Sequence, residues 1–472
     1  MHEPRDVDEL AREMASDNFS DGRLTKRLET IVRGVARDPA ASLPRVMDAA
    51  ELEGAYRFFS NPLVKPEQII APHFEATRER GAVEQRVRIV HDVTEFTYRS
   101  RGRRVGLDDG RLQQGFCAHV SLVISADEIR RPIGLCGVHT WVRGKNTEPE
   151  QSFWRKQIDA SERTLACGTK AIHICDRGAE DYALFHGLCE DDRRFVIRTD
   201  GRRLTKNGPN DKSMLLRDVL ATIEHVAERS TTISRRGDQG NAARNKRHPP
   251  RAGRTATLNV SAARVALLRP SNCKKDLSNT LGLNVVRVWE PNPPTGIEPI
   301  EWLLFTNEPI DTAEEVCSIV DHYRARWRIE EYFKALKTGC AFEQRQLEDY
   351  ESLVNLLATL APLAFHILFL RSVAQHQPDA PGLSVVSAGQ LHVLRKAGRR
   401  DLPPSPNARD VMLAIAALGG HIKYAPDPGW LTIARGYEAL EKLTAGWLLA
   451  RAELENGPSA REREKFPSGS DQ

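Results

Sequence analysis

Short hydrophobic runs alternate with helical stretches along this chain. Residues 1 to about 66 read as polar helices: Asp8 to Met14 makes a short one, and Asp21 caps the next. From residue 86 the pattern changes. Arg86-Val-Arg-Ile-Val-His91 is β-branched and predicts a strand ending at Asp92. Gly115 to Ser125 and Pro132 to Val142 predict two more strands, Ser152 to Cys167 a helix, and Ala171 to Cys175 a strand ending at Asp176. Residues 194–199 form another candidate strand, and a less regular β-leaning region runs to about 308. Asp311 to Thr338 predicts a long helix capped by Asp311. Leu353 to Leu370 contains no Asp, Glu, Lys or Arg. Asn355, Thr359, Pro362 and His366 interrupt that run, which argues for a buried core helix, kinked at Pro362, over a membrane span. Pro378 and Pro381 mark a linker, helices come next at about 407–418 and 428–454, and the last residues read as disordered.

The long helix carries the first candidate chemistry. At about 100° per residue, Tyr323, Arg326, Glu330 and Lys337 fall in a wedge roughly 60° wide. Ile329, Phe333 and Leu336 form a separate apolar stripe, and Glu331 is turned away from Glu330. A carboxylate among two cations and a phenol suits phosphate chemistry, although intrahelical salt-bridge faces are common. Asp92 and Asp176 at strand ends, in a strand-strand-strand-helix-strand order, add two more acids. Three carboxylates converging on hard cations would bind two Mg²⁺, which serve phosphodiester transfer. Oxygen ligands favour Mg²⁺ or Mn²⁺ over zinc.

Composition narrows the reading. The chain has 472 residues, 40% hydrophobic and 28% charged, as in a globular protein of several domains. Lys+Arg is 68 against Asp+Glu 64, a net charge of +4. Any DNA affinity must therefore come from local patches. Arg23, Lys26 and Arg27 share one side of an N-terminal helix, which makes either a solvated face or a phosphate-contacting one. Arg235 to Arg254 is a basic stretch with one acid, Asp238. The 8 cysteines form no C-x-x-C pair, so free thiols in a reducing cytoplasm are expected, and the charged N-terminus does not read as a signal peptide.

At these residues the sequence resembles the D-D-E transposases, which have an RNase H-like core. More narrowly, it is similar to the insertion-sequence-four family, whose hallmark Y-x2-R-x3-E-x6-K is matched by Tyr323, Arg326, Glu330 and Lys337. Further anchors are Glu53-Gly-Ala-Tyr-Arg-Phe58, Asn61-Pro62, Asp92, Cys175-Asp-Arg177, Arg194-Phe-Val-Ile-Arg198, Trp302-Leu-Leu, Trp327-Arg-Ile-Glu-Glu331, Lys337-Thr-Gly339, Leu418-Gly-Gly420, Trp430 and Gly436. The resemblance covers nearly the whole chain.

The resemblance implies an α/β fold: an RNase H-like catalytic core at 67–376, with a β-rich insertion at about 203–308. A helical DNA-binding domain at 1–66 and a helical dimerisation domain at 377–472 would flank it. It implies that Asp92, Asp176 and Glu330 bind metal, two Mg²⁺ per site with Mn²⁺ able to substitute. Tyr323, Arg326, Lys337 and Arg198 would contact DNA, Trp302 would stack on an extruded base, and Arg23, Lys26 and Arg27 would read the transposon end. Partners would be transposon-end and target DNA and a second copy of the chain in a synaptic dimer, with no membrane. The setting would be the bacterial cytoplasm, at the nucleoid. Departures from the family pattern are His91 and Val93 around the first acid, Asp200 near Arg198, and His421 after Leu418-Gly-Gly420. Rival readings are a catalytically decayed or inhibitory DNA-binding relative and another RNase H-like nuclease. The intact acids count against the first, and the long separation of Asp176 from Glu330 counts against the second.

Overall fold

A computed structural model describes residues 6–15, 19–98, 104–107, 114–144, 148–206, 212–233, 235–237, 245–246, 249–422 and 427–456. Part of the basic stretch 235–254 and the C-terminal tail from 457 lie outside the described residues. The N-terminal region is helical: α1 (Val7–Met14), α2 (Gly22–Arg37), α3 (Leu43–Val46), α4 (Ala49–Phe59) and α5 (Pro66–Gly81). As expected, Asp21 caps α2, accepting from Arg23 N at 2.9 Å.

Buried polar contacts anchor these helices to one another and to the sheet and core helix. Glu13 of α1 accepts from His73 and Arg80 of α5 at 2.6 and 2.8 Å, and Arg80 Nε donates to Ile133 O at 2.9 Å. Arg345 donates to the carbonyls of Pro39 and Ala41. Asn355 Nδ2 donates to Phe59 O at 2.9 Å. Each is a long-range bond into an apolar interior, where an unmade partner would cost about 1–3 kcal/mol.

The described strands make one mixed 11-stranded sheet, in which β3-β2-β1-β4-β5-β11-β10-β9-β6-β7 are successive neighbours and β8 pairs with β9. The strands are β1 (Arg86–Tyr98), β2 (Gln114–Ser125), β3 (Pro132–Trp141), β4 (Lys170–Cys175), β5 (Arg194–Thr199), β6 (Leu204–Lys206), β7 (Met214–Leu215), β8 (Ala227–Ile233), β9 (Arg254–Leu268), β10 (Thr280–Trp289) and β11 (Glu301–Thr306). β1 is antiparallel to β2 and parallel to β4, and β4 is parallel to β5. Both faces of β1 are covered. Val87 and Ile89 pack in one cluster with Ile133 and Cys136, while Val90 and Phe96 join the large core on the other side. That explains why the strand reads as a hydrophobic run with little alternation. Helices α6 (Glu150–Thr164), α7 (Tyr182–Glu190) and the short α8 (Leu216–Ala221) supply one cover.

Two element boundaries differ from the expectation. β1 does not end at Asp92; it continues to Tyr98, paired with β2 down to Tyr98–Gln114. Val93, Thr94, Phe96, Thr97 and Tyr98 are β-branched or aromatic and sustain the strand past the acid. The long helix is split into α9 (Ala313–Arg324) and α10 (Trp327–Lys334), with a π turn at Ala335–Gly339. Its cap is Thr312, not Asp311: Thr312 and Glu315 form a reciprocal capping box.

Helix α11 (Tyr350–His376) runs unbroken through Pro362. It is long and apolar enough to cross a membrane, yet all of its most apolar window is buried inside the protein. The remaining helices are α12 (Ala388–Ala397), α13 (Ala408–Leu418) and α14 (Trp430–Asn456). Residues from α1, α2, α11, α13 and α14 share one core cluster.

Candidate active site

Asp92 sits where β1 loses one neighbour. The last parallel pair is His91 with Cys175; there β4 ends, and β1 continues against β2 alone. The chain leaves β4 at Asp176, whose Oδ1 accepts from Gly178 N at 2.8 Å and caps a short 3₁₀ turn, Arg177–Ala179. A Cβ at Gly178 would lie 2.9 Å from that oxygen, so the turn needs glycine. The sheet thus brings two aspartates side by side, one residue beyond a shared register pair.

Glu330 comes from α10. The chain between α9 and α10 tightens through i→i−3 bonds: Arg326 N to Tyr323 O at 3.0 Å, Arg328 N to Ala325 O at 3.1 Å and Ile329 N to Arg326 O at 3.1 Å. Ile329, Phe333 and Leu336 are buried, as the apolar stripe predicts. Glu331 turns away and pairs with Arg328 at 2.7 Å. Arg326 links the two sides: Nη1 lies 2.8 Å from Asp92 Oδ2 and Nη2 lies 2.6 Å from Glu330 Oε1. Its Nε is buried with no partner.

Burial pushes the Asp92 carboxyl up to about 7, with Asp176 and Glu330 adding repulsion, while Arg326 and the Val93 N–H pull the other way. Burial works against the Arg326 charge, but Tyr323, Asp92 and Glu330 outweigh it and raise its pKa. Three carboxyl groups thus share this site with the Arg326 guanidinium, which is 12% exposed. Among the described residues, no three His, Cys, Asp or Glu side chains stand close enough together to hold a metal ion. The Arg326 guanidinium stands between Asp92 and Glu330. The donor set itself, carboxylate oxygens from three acids, fits a hard divalent cation.

The other predicted residues divide. Tyr323 is buried beside Arg326, whose Cζ is 5.9 Å from its ring centroid, and burial raises its hydroxyl pKa. Arg198 lies close enough to Tyr323 for its charge to oppose that rise, and its Nη2 reaches Glu301 O at 3.4 Å. Trp302, half-buried on β11, meets Tyr323 edge-on with centroids 5.6 Å apart. Lys337 sits in the π turn, where its Nζ donates to Glu95 O at 2.6 Å and stands 3.9 Å from Glu343 Oε1. Glu95 follows Asp92 along β1. The N-terminal bases also separate: Arg23 folds back on Asp21 at 2.8 Å, Arg27 packs against Gly54 of α4, and Lys26 is exposed.

Sequence patterns did not single out the cavity beside α10, about 650 Å³ in volume. Trp302, Trp327, Arg324, Arg328 and Lys334 line it, joined by Arg130 from the β2–β3 turn and by Arg235, Arg236 and Arg251 of the basic stretch. Trp327 is 53% exposed, an unusual position for a large aromatic. Spacing could not reveal a wall assembled from four chain regions.

Residues 8–64 match the Transposase DNA-binding family, and residues 79–364 match the Transposase DDE domain family. The second match spans most of the chain and contains Asp92, Asp176 and Glu330. A DDE domain implies an RNase H-like fold, with which the mixed sheet flanked by helices agrees. The chain belongs to the DDE transposases and joins a transposase DNA-binding region to a DDE domain.

Proposed function

We propose that this protein is a cut-and-paste transposase of the insertion-sequence-four family, similar to the transposase of transposon five, with Asp92, Asp176 and Glu330 as its catalytic acids. The observation that carries the reading is the Arg326 bridge: one partly buried cation held by Asp92 and Glu330, with Asp176 beside Asp92. Divalent cations held by these carboxylates, Mg²⁺ or Mn²⁺, would supply Lewis acidity to the scissile phosphate.

In this reading the chain binds the inverted repeats at the transposon ends. A water oxygen attacks phosphorus and the 3′-oxygen leaves, nicking one strand. The freed 3′-hydroxyl then attacks a phosphorus of the opposite strand, the flanking strand's 3′-oxygen leaves with the proton, and a hairpin closes. A second water attacks the hairpin phosphorus and expels the transposon 3′-oxygen as a hydroxyl, which then attacks a target phosphorus and displaces the target strand's 3′-oxygen. Arg326 would meet a phosphate oxygen through its guanidinium. Tyr323, Arg198 and Lys337 meet neighbouring phosphates, and Trp302 offers a face to an extruded base. Arg23, Lys26 and Arg27 approach the end sequence. Two copies of the chain act together in a synaptic dimer, in the bacterial cytoplasm at the nucleoid.

The test is a labelled duplex ending in the repeats that flank the gene, incubated with protein and Mg²⁺ and run on a denaturing gel. Nicked strand followed by hairpin supports the reading. DNA bound but uncut with every divalent metal would favour the decayed, binding-only relative.

A further inference from the structure

The face of β1 opposite Asp92 carries a buried polar chain. Gln157 Nε2 of α6 donates to Ser121 Oγ of β2 at 2.9 Å. Ser121 Oγ is 2.9 Å from His91 Nδ1, His91 Nε2 is 2.9 Å from His173 Nδ1 of β4, and His173 Nε2 is 2.8 Å from Glu162 Oε1, back on α6. Both imidazoles and Ser121 are fully buried, and the Glu162 side chain is 30% exposed. With neutral imidazoles every hydrogen is assigned. Glu162 accepts from His173 Nε2, so His173 Nδ1 accepts from His91 Nε2. His91 Nδ1 must then accept from the Ser121 hydroxyl, whose oxygen accepts from Gln157. The bonds run in one direction from end to end.

Apart from the buried His119 ring, edge-on to His91 at 5.9 Å, the packing around this chain is apolar. Val87, Ile89 and Val123 lie on one flank, and Trp154, Ile158 and Cys175 on the other. Burying two imidazoles there stabilises the fold less than a well-packed apolar set would, because each must first be desolvated. Directed hydrogen bonds supply registry instead: a methyl contact tolerates a slip of about half an ångström, and a chain of short bonds does not. The registry is set at the place where it reaches the acids. His91 directly precedes Asp92, its register partner Cys175 directly precedes Asp176, and His173 lies on the same strand as Cys175.

We propose that the Gln157–Ser121–His91–His173–Glu162 chain positions the two aspartates, fixing β1 to β4 and both to α6 so that the two carboxylates keep one spacing on the opposite face. His91 and His173 are positioning residues and touch neither DNA nor metal. The inference rests on Asp92 and Asp176 being the reacting acids.

The experiment compares full-length wild type, His91→Leu/His173→Leu and Glu330→Gln. It measures repeat-DNA binding by gel shift, Mn²⁺ binding by paramagnetic resonance of the free ion, thermal unfolding, and strand nicking. The double leucine variant should keep its unfolding midpoint and repeat-DNA affinity. Its Mn²⁺ half-saturation should rise, and its nicking rate fall, by about tenfold or more, as when ligand-orienting partners are lost. Wild-type nicking and wild-type Mn²⁺ saturation in that variant would overturn the inference. Should it fail to fold, the half-exposed end decides. Glu162→Gln keeps an acceptor and should stay near wild type, whereas Glu162→Leu should lose nicking and Mn²⁺ affinity together; equal behaviour of the two overturns the inference. A wild type that does not nick, or a Glu330→Gln that does, would sink the acid assignment itself.

Discussion

Arg326 donates to Asp92 at 2.8 Å across the gap between helix and sheet, and its other terminal nitrogen holds Glu330 at 2.6 Å. One planar fork spans two acids from different elements, a geometry a lysine ammonium cannot copy. Arg326→Lys should therefore lower strand nicking at least tenfold while changing repeat-DNA affinity by less than about threefold, since most affinity comes from many phosphate contacts. Nicking assays and gel shifts on one preparation check this. Wild-type nicking in Arg326→Lys would contradict it.

The edge contact between Trp302 and Tyr323 yields a prediction for the later step. Base–aromatic stacking is worth about 1–3 kcal/mol per base. Trp302→Ala should slow hairpin closure by roughly ten- to a hundredfold and leave first-strand nicking within about threefold. Trp302→Phe should fall between. Separate quantification of nicked strand and hairpin on a denaturing gel checks the order.

The N-terminal bases should not behave alike. Lys26 is exposed, so Lys26→Ala should reduce the slope of log affinity against log salt by about 0.9. Arg27 also packs on Gly54, so Arg27→Ala should lower the unfolding midpoint as well as the affinity. Binding isotherms at several salt concentrations, together with thermal melts, separate the two effects.

Glu441 of α14 gives the fold a pH dependence. Burial raises its carboxyl to about 7 from an ordinary value of 4.5; Asp6 adds repulsion, while the Gln390 hydrogen bond and Arg37 oppose. The folded chain then binds this proton more tightly than the unfolded chain does. Its stabilising contribution is full below about 4.5 and is lost as pH rises to about 7, by at most ~3 kcal/mol. Glu441→Gln, which cannot ionise, should melt close to wild type at pH 5 and above it at pH 8. Melts at the two pH values check the sign; a wild-type advantage at pH 8 would contradict it.

The acids and the helix motif were legible because strand and helix periodicities mark local geometry. Asp92 and Asp176 stood out at hydrophobic runs, and Tyr323, Arg326 and Glu330 at helical spacing. Local pattern could not carry features that depend on a distant partner. β1 outruns Asp92 because β2 pairs with it to Gln114. Lys337 lies in a π turn and bonds Glu95 O of β1, a partner no helical spacing announces. Helix α12, between proline-rich stretches, is held by a Ser387–Gln390 capping box that the run of prolines concealed. The His91–His173 chain was hidden for the same reason: its members come from three strands and a helix.

The most direct measurement is cleavage of a plasmid carrying the gene's flanking DNA, with Mg²⁺, by wild type and by Asp92→Asn, Asp176→Asn and Glu330→Gln. If the three acids carry the reaction, wild type makes metal-dependent breaks at the repeats, none of the three variants does, and all four bind the repeats equally. Normal cleavage by any one of the three variants would contradict that assignment.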